Sequence, residues 1–243
     1  MIATPMKTAT VELSQQTQKI LTNFATINAS IVFREGSVIR TLAAAENVLG
    51  EYHCSEYFPR DFSIYDLPQF LNVLRTVSSD GTALLDFSKS DDYVVIKGAG
   101  TLNYKYYYSD PSITLRASPQ TEFLFSGSKI DFHMSNDMYQ KVLQLSKLSS
   151  FLDMKIESFG DGDPGKLTIL DKESDTSNSS DWLLQQGYRC TGDEEFWIKI
   201  ENFRLQRDYS YDVSLGDGNI SRWVVRNLPN EDLSLKSYIG MEP

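Results

Sequence analysis

The residues of this chain that could do chemistry are few and far apart. Its histidines are His53 and His133 and its cysteines Cys54 and Cys190. A general base, an activated thiol or a zinc site needs such groups to converge. His53 and His133 sit in strand-like stretches of different halves, which makes each a structural or surface residue. His53 and Cys54 are adjacent, but neighbours on a strand point to opposite faces and cannot form a ligand pair. None of the motifs CxxC, HExxH, GxSxG or GxxxxGK[ST] occurs.

The acids offer little more. "GDGDPG", Gly160 to Gly165, alternates aspartates as calcium loops do, but lacks the rest of an EF-hand, including its bidentate glutamate. Gly, Asp and Pro are also what a hairpin turn needs, and the turn is the expectation here and at "LGDGN", Leu215 to Asn219. Glu194 with Glu195, and Asp91 with Asp92, read as solvated charge. The expectation is a protein that is not an enzyme, with no catalytic residue, no metal and no cofactor.

What remains is a question of surfaces. With 243 residues, 41% of them hydrophobic, the chain can bury a proper core. It shows neither a signal-peptide h-region nor an apolar run of membrane-spanning length. The sparse cysteines fit a reducing compartment, so the expected location is intracellular and the triplets at Asn28, Asn178 and Asn219 are not glycosylation signals. The formal charge is -10, from 33 acids and 23 bases. Such a sum argues against a nucleic-acid partner, unless the bases are gathered on one surface.

Helix-like stretches are few and strand-like ones many, an α+β composition. "VELSQQTQKILTNFATINAS" holds a helix with Leu13, Ile20, Leu21, Phe24 and Ile27 inward; Gln15, Gln16, Gln18, Lys19, Thr22, Asn23 and Thr26 face out. "SIVFR" and "SVIRTL" read as a hairpin about Glu35-Gly36. A second helix starts at Asp66, with Pro68 in its first turn and Leu67, Phe70, Leu71 and Leu74 inward. Strands follow at "TALLDFS", "DYVVIKG" and "LNYKYYY", set off by turn clusters around Asp80-Gly81 and Ser88 to Asp92. After a proline-bearing connector the pattern returns: "KIDFHM"; a helix capped by Ser135 or Asn136 with Met138, Val142, Leu145 and Leu148 inward; a hairpin about "GDGDPG"; "EEFWIKI"; a short helix "ENFRLQRD"; and three closing strands. The first helices of the halves start about 122 residues apart and the second about 135, the excess being supplied by a polar surface loop, Asp171 to Asp181.

The helices stand apart electrically. The four helical stretches together carry +2, which leaves -12 on the rest of a chain of net -10. Of their four acids, Asp66, Asp137 and Glu201 sit at helix starts, where the macrodipole favours them, and Asp208 ends the last stretch. Lys19, Arg75, Lys141, Lys147, Arg204 and Arg207 occupy middle and late positions.

"LTNFATINASIVF", Leu21 to Phe33, and "FSIYDLPQFLNVL", Phe62 to Leu74, strongly resemble the sliding clamps of T-even-type bacteriophages, the trimeric DNA polymerase processivity factors. "YYYSDPS", Tyr106 to Ser112, resembles the entry to that family's interdomain connector. The resemblance implies two similar DNA-clamp domains per subunit, with sheets outside and helices lining the interior of a homotrimeric ring around duplex DNA. It divides the chain into a disordered N-terminal extension (1–10), clamp domain 1 (11–109), a connector (110–122) and clamp domain 2 (123–243). Under it the six helix bases face DNA, which slides because few phosphate contacts release few counterions. The ring tethers a phage replicative polymerase for processive synthesis in the cytoplasm of the infected host cell. A clamp loader opens it, and polymerase or late-transcription factors bind by hydrophobic tails in a pocket near the connector, walled by Tyr106, Tyr107, Leu115, Phe123 and Phe125. The alternative is a structural or surface-binding β-rich phage protein that uses Tyr-rich strands such as "NYKYYYS".

Overall fold

In the computed structural model, which describes residues 9–78, 83–98, 101–113, 120–160, 163–174, 176 and 178–242, the chain forms two units. One comprises the chain up to Ala44 together with Glu51–Thr121; the other comprises Ala45–Gly50 and the chain from Glu122 onward.

The first unit runs β1 (Thr10–Leu13), α1 (Gln15–Ile27), β2 (Ile31–Phe33), β3 (Gly36–Leu42), β4 (Val48–Phe58, its residues 48–50 counted with the second unit), β5 (Phe62–Ile64), α2 (Leu67–Val77), β6 (Ala83–Asp86), β7 (Tyr93–Lys97) and β8 (Asn103–Tyr107). The second runs β9 (Ser128–Met134), α3 (Asn136–Ser149), β10 (Asp153–Phe159), β11 (Gly165–Leu170), β12 (Ser180–Leu184), β13 (Arg189–Cys190), β14 (Asp193–Lys199), a 3-10 turn (Ile200–Asn202), β15 (Tyr211–Gly216), β16 (Ile220–Val225) and β17 (Ser234–Gly240).

Topology repeats where residues do not. In the first unit a four-stranded sheet has the order β1-β6-β7-β8, and in the second the run β9-β15-β16-β17 lies within a seven-stranded sheet: in both, an opening strand is joined by a closing three-stranded meander. The intervening strands match too, because β2 pairs with β5 as β10 pairs with β14. A helix follows the opening strand in both.

Aromatic cores hold the units. In the first, Phe33 stacks on Phe62 at 4.5 Å and Phe58 tilts against both. In the second, Trp223 is fully buried, with Phe203 edge-on at 4.8 Å and its indole N–H donating to Ser221 Oγ at 2.8 Å. A large aromatic buried with its polar atom satisfied stabilises by about 2–3 kcal/mol.

Several expectations need correction. β2 and β3 are not a hairpin; β2 pairs with β5. The Asp61 carboxylate takes the Glu35 N–H at 2.7 Å and the Arg34 guanidinium at 2.9 Å, which turns the chain at the supposed hairpin. The inward face of α3 is Tyr139, Val142 and Ser146; Met138 and Leu145 are half-buried and Leu148 is 73% exposed. The Tyr139 ring sets that rotation: it lies edge-on to Phe203 at 5.1 Å, and its hydroxyl donates to the Leu205 carbonyl at 2.9 Å. "ENFRLQRD" is no helix beyond the 3-10 turn at Ile200–Asn202. Phe203 and Leu205 are both buried, and residues two apart cannot share one helical face. β12 begins at Ser180, inside the loop expected to run to Asp181, and β1 begins at Thr10, inside the expected N-terminal extension. The expected turn at Asp80-Gly81 lies outside the described residues.

Candidate nucleic-acid interface

The three α-helices are capped as their sequences dictate. Ser14 Oγ accepts the Thr17 N–H at 3.1 Å, Asp66 Oδ1 that of Gln69 at 2.9 Å, and Ser135 Oγ that of Met138 at 3.2 Å. The start of α1 has a further anchor that the sequence did not announce: the buried Glu56 carboxylate accepts the Ser14 N–H and the Thr17 hydroxyl, each at 2.8 Å. Burial alone would raise the Glu56 pKa, but the Ser14 and Thr17 bonds together outweigh it and hold the carboxyl below the usual range.

Between the caps the outward faces carry bases and almost no acid. α1 presents Lys19, α2 Arg75, and α3 Lys141 and Lys147, with Asp137 the one acid within these helices. All four bases are exposed. Lys141 pairs with Asp137 one turn earlier at 2.8 Å, and Arg75 donates to Asn72 Oδ1 at 3.1 Å and Thr22 Oγ1 at 2.9 Å. One outer-face assignment fails: Gln18 is buried, its amide donating to the Leu13 carbonyl at 3.0 Å. Gln15, Lys19, Thr22 and Thr26 are exposed as expected.

Arg204 and Arg207 come from irregular chain. The segment is pinned along α3 by the Tyr139 bond to Leu205, and the Arg207 carbonyl accepts from Asn136 Nδ2 at 2.9 Å and from the Gln140 amide. Both arginines are exposed. The first unit therefore brings Lys19 and Arg75 onto adjoining helices, and the second sets Arg204 and Arg207 on a strap bound to the helix of Lys141 and Lys147.

The expected peptide-pocket residues are less united. Tyr106 and Tyr107 alternate on β8: the Tyr106 ring meets Phe70 of α2 edge-on at 4.9 Å, whereas Tyr107 is 65% exposed beside Tyr93. Leu115 lies outside the described residues. Phe123 and Phe125 belong to the second unit, the former 4.9 Å from Tyr238 and the latter under the Arg222 guanidinium at 4.7 Å. Leu124 between them, which the sequence reading passed over, is 85% exposed.

The chemistry-bearing residues have structural partners. His53 Nε2 lies 3.0 Å from Glu51, while Cys54 Sγ faces the Ser37 and Glu56 carbonyls. His133 Nδ1 lies 3.4 Å from Asp212. "GDGDPG" joins β10 to β11, which pair antiparallel, and residues 161–162 within it lie outside the described residues. No helix among the described residues is long and apolar enough to cross a membrane.

Comparison with known proteins agrees with the fold. Residues 14–111 match the family described as DNA polymerase processivity factor. A sliding clamp of Vibrio phage KVP40 is 27% identical over 237 residues, covering 96% of this chain and 99% of that protein. A sliding clamp of Enterobacteria phage T4 is 37% identical over 82 residues, 34% of each. Among solved structures, the proliferating cellular nuclear antigen (PCNA) of Entamoeba histolytica aligns with a TM-score of 0.72 at 12% identity, covering 96% of this chain and 98% of that one. A structure of the C-terminal region of FEN-1 bound to A. fulgidus PCNA aligns at 0.70 and 13% identity, with the same coverage.

Proposed function

Because this chain belongs to the DNA polymerase processivity factors, as a sliding clamp of the T-even phage type, we propose that it works as a closed homotrimer around duplex DNA and has no catalytic activity of its own. Lys19, Arg75, Lys141, Lys147, Arg204 and Arg207 then face the DNA. The observation that carries this reading is the charge on the helices: four bases against one acid, in a chain of net -10. Each phosphate contact adds a counterion-release term to binding. A few exposed bases attract the backbone weakly and leave the ring able to slide, while acid elsewhere disfavours contact outside it.

Ring closure needs surfaces that repeat head to tail. The strands β8 and β12 each end a four-stranded sheet, one in each unit. Both are five residues long, and they expose Tyr104, Tyr107 and Leu183. Such edges present unpaired N–H and C=O groups. In our reading β8 of one copy pairs with β12 of the next, and three such junctions close the ring.

Polymerase, and late-transcription factors where present, would dock by hydrophobic tails on the apolar surface of Phe123, Leu124 and Phe125 in the second unit. Leu115, Tyr106 and Tyr107 remain candidates from the resemblance. A clamp loader opens the ring, in the cytoplasm of the infected host cell. The structural or surface-binding alternative is not favoured, since a sliding clamp matches 96% of the chain.

The test is solution mass and symmetry. Sedimentation and electron microscopy should give a three-copy ring of the 27.6 kDa chain. A chain that stays monomeric well above roughly micromolar concentration removes the ring reading.

A further inference from the structure

The first unit holds a cleft of about 440 Å³ beside the end of β8, within the usual volume of ligand pockets. Among the residues lining it, Arg34 Nε, Ser63 Oγ, Tyr108 Oη and Ser109 Oγ are all buried with no hydrogen-bond partner among the described residues. Ser63 is only 1% exposed. A buried polar atom left unpaired costs about 1–3 kcal/mol, so four at one place call for an occupant.

The rim gives the occupant's charge. Asp61, Asp91, Asp92 and Asp110 line the cleft, and Arg34 is the only base among its lining residues. Three of the four acids are already engaged: Asp61 with Arg34 and the Glu35 N–H, Asp91 with Arg60, and Asp110 with the Ser112 N–H. Asp92 uses its backbone, its carbonyl accepting the Tyr108 N–H at 2.9 Å, and its exposed carboxylate makes no hydrogen bond or ion pair among the described residues. Tyr107, 65% exposed, presents an aromatic ring at the same cleft.

We propose that this cleft binds an arginine side chain carried on an exposed segment of a partner protein. The guanidinium offers five donors in a planar fork. The hydroxyls of Ser63, Tyr108 and Ser109 supply neutral acceptors and the Asp92 carboxylate a charged one. Tyr107 supplies a ring face for a cation. Arg34 Nε, itself a donor, takes a backbone carbonyl of the incoming segment, which is why a peptide fits better than a bare cation. Burial pushes the Tyr108 phenol up to about 12, an effect that Arg60 opposes and Asp91 reinforces. The hydroxyl therefore stays neutral at physiological pH and can both donate and accept. This assignment does not rest on ring formation.

The probe is a fluorescent Gly-Gly-Arg-Gly-Gly peptide titrated into the full-length protein and followed by anisotropy. Its counterpart carries neutral citrulline in place of arginine. The arginine peptide should bind at least tenfold more tightly than the citrulline peptide. Asp92→Asn should remove that preference, while Asp181→Asn, an exposed acid of the other unit, should leave it intact. Ser63→Ala should weaken binding about tenfold; if that variant fails to fold, the exposed Asp92 position decides alone. Equal binding of the two peptides, or an arginine preference that survives Asp92→Asn, would overturn the assignment.

Discussion

Arg75 on α2 donates from Nη2 to the hydroxyl of Thr22 on α1 at 2.9 Å. A cation at a helix C-terminal turn is thereby drawn across to a neutral residue of the neighbouring helix, so the outer faces of α1 and α2 form one polar surface. Beneath that surface Leu21, Phe24, Phe70 and Leu74 are at most 1% exposed. Packing therefore fixes the helices independently of the bases above them, and the bases can be changed without loss of the fold.

Charge reversal on the helices separates assembly from sliding. Lys19→Glu, Lys141→Glu and Lys147→Glu together alter exposed positions, where substitutions usually change stability by less than about 0.5 kcal/mol. The triple variant should keep the parent's mass in sedimentation but give shorter products in loader-dependent polymerase assays, with the deficit largest at low salt and narrowing as added salt screens the charges. Unchanged product lengths would remove the assigned inner face.

Acid stability follows from Asp86. Its side chain is 4% exposed, and Lys97 Nζ lies 2.8 Å from Oδ2. Burial alone would raise its pKa, but the Lys97 contact and the Ser88 N–H and hydroxyl outweigh it, and the carboxyl falls to about 2. The unfolded value is about 3.9. A carboxylate depressed in the native state contributes stability above its unfolded pKa and loses it as pH falls toward its folded one. Asp86→Asn should therefore cost about 2 kcal/mol in urea unfolding at pH 7. The gap between variant and parent should narrow from about pH 4 to pH 2.

Strands and caps were legible because they depend on local chemistry. Ser14, Asp66 and Ser135 cap as their types suggest, and the closing meander of each unit follows its alternating runs. The failures lie where a distant residue decided the outcome. Asp61 diverts the chain at Glu35 from 26 residues away, and Leu205, 66 residues from Tyr139, turns α3 by holding its hydroxyl. The six bases were found by counting charge, and each lies on the surface. The cleft at Ser63 was not legible at all, since its lining comes from four separated stretches of chain.

The two thiols should react differently. Cys54 is buried, and burial followed by the nearby Glu56 charge pushes it up to about 12, so the nucleophilic thiolate is scarce at pH 8. Cys190 is partly exposed. Iodoacetamide should label Cys190 and leave Cys54 unmodified in the native protein, with both labelled in urea. Peptide mass mapping gives the answer, and rapid native labelling of Cys54 would show that the first unit opens more readily than its packing implies.

The edge strands make the last prediction. Leu183 on β12 is 57% exposed and sits opposite Lys166 of β11, so its side chain adds little to the sheet of its own unit. If β12 pairs with β8 of the next copy, a charge at Leu183 must be desolvated without a partner, at a cost of several kcal/mol. Leu183→Asp should therefore leave the circular dichroism and unfolding midpoint near those of the parent while sedimentation shows the 27.6 kDa monomer. Tyr104→Asp on β8 should do the same, because it alters the other half of the same junction. A ring that survives both substitutions would place the contact between copies elsewhere on the two units.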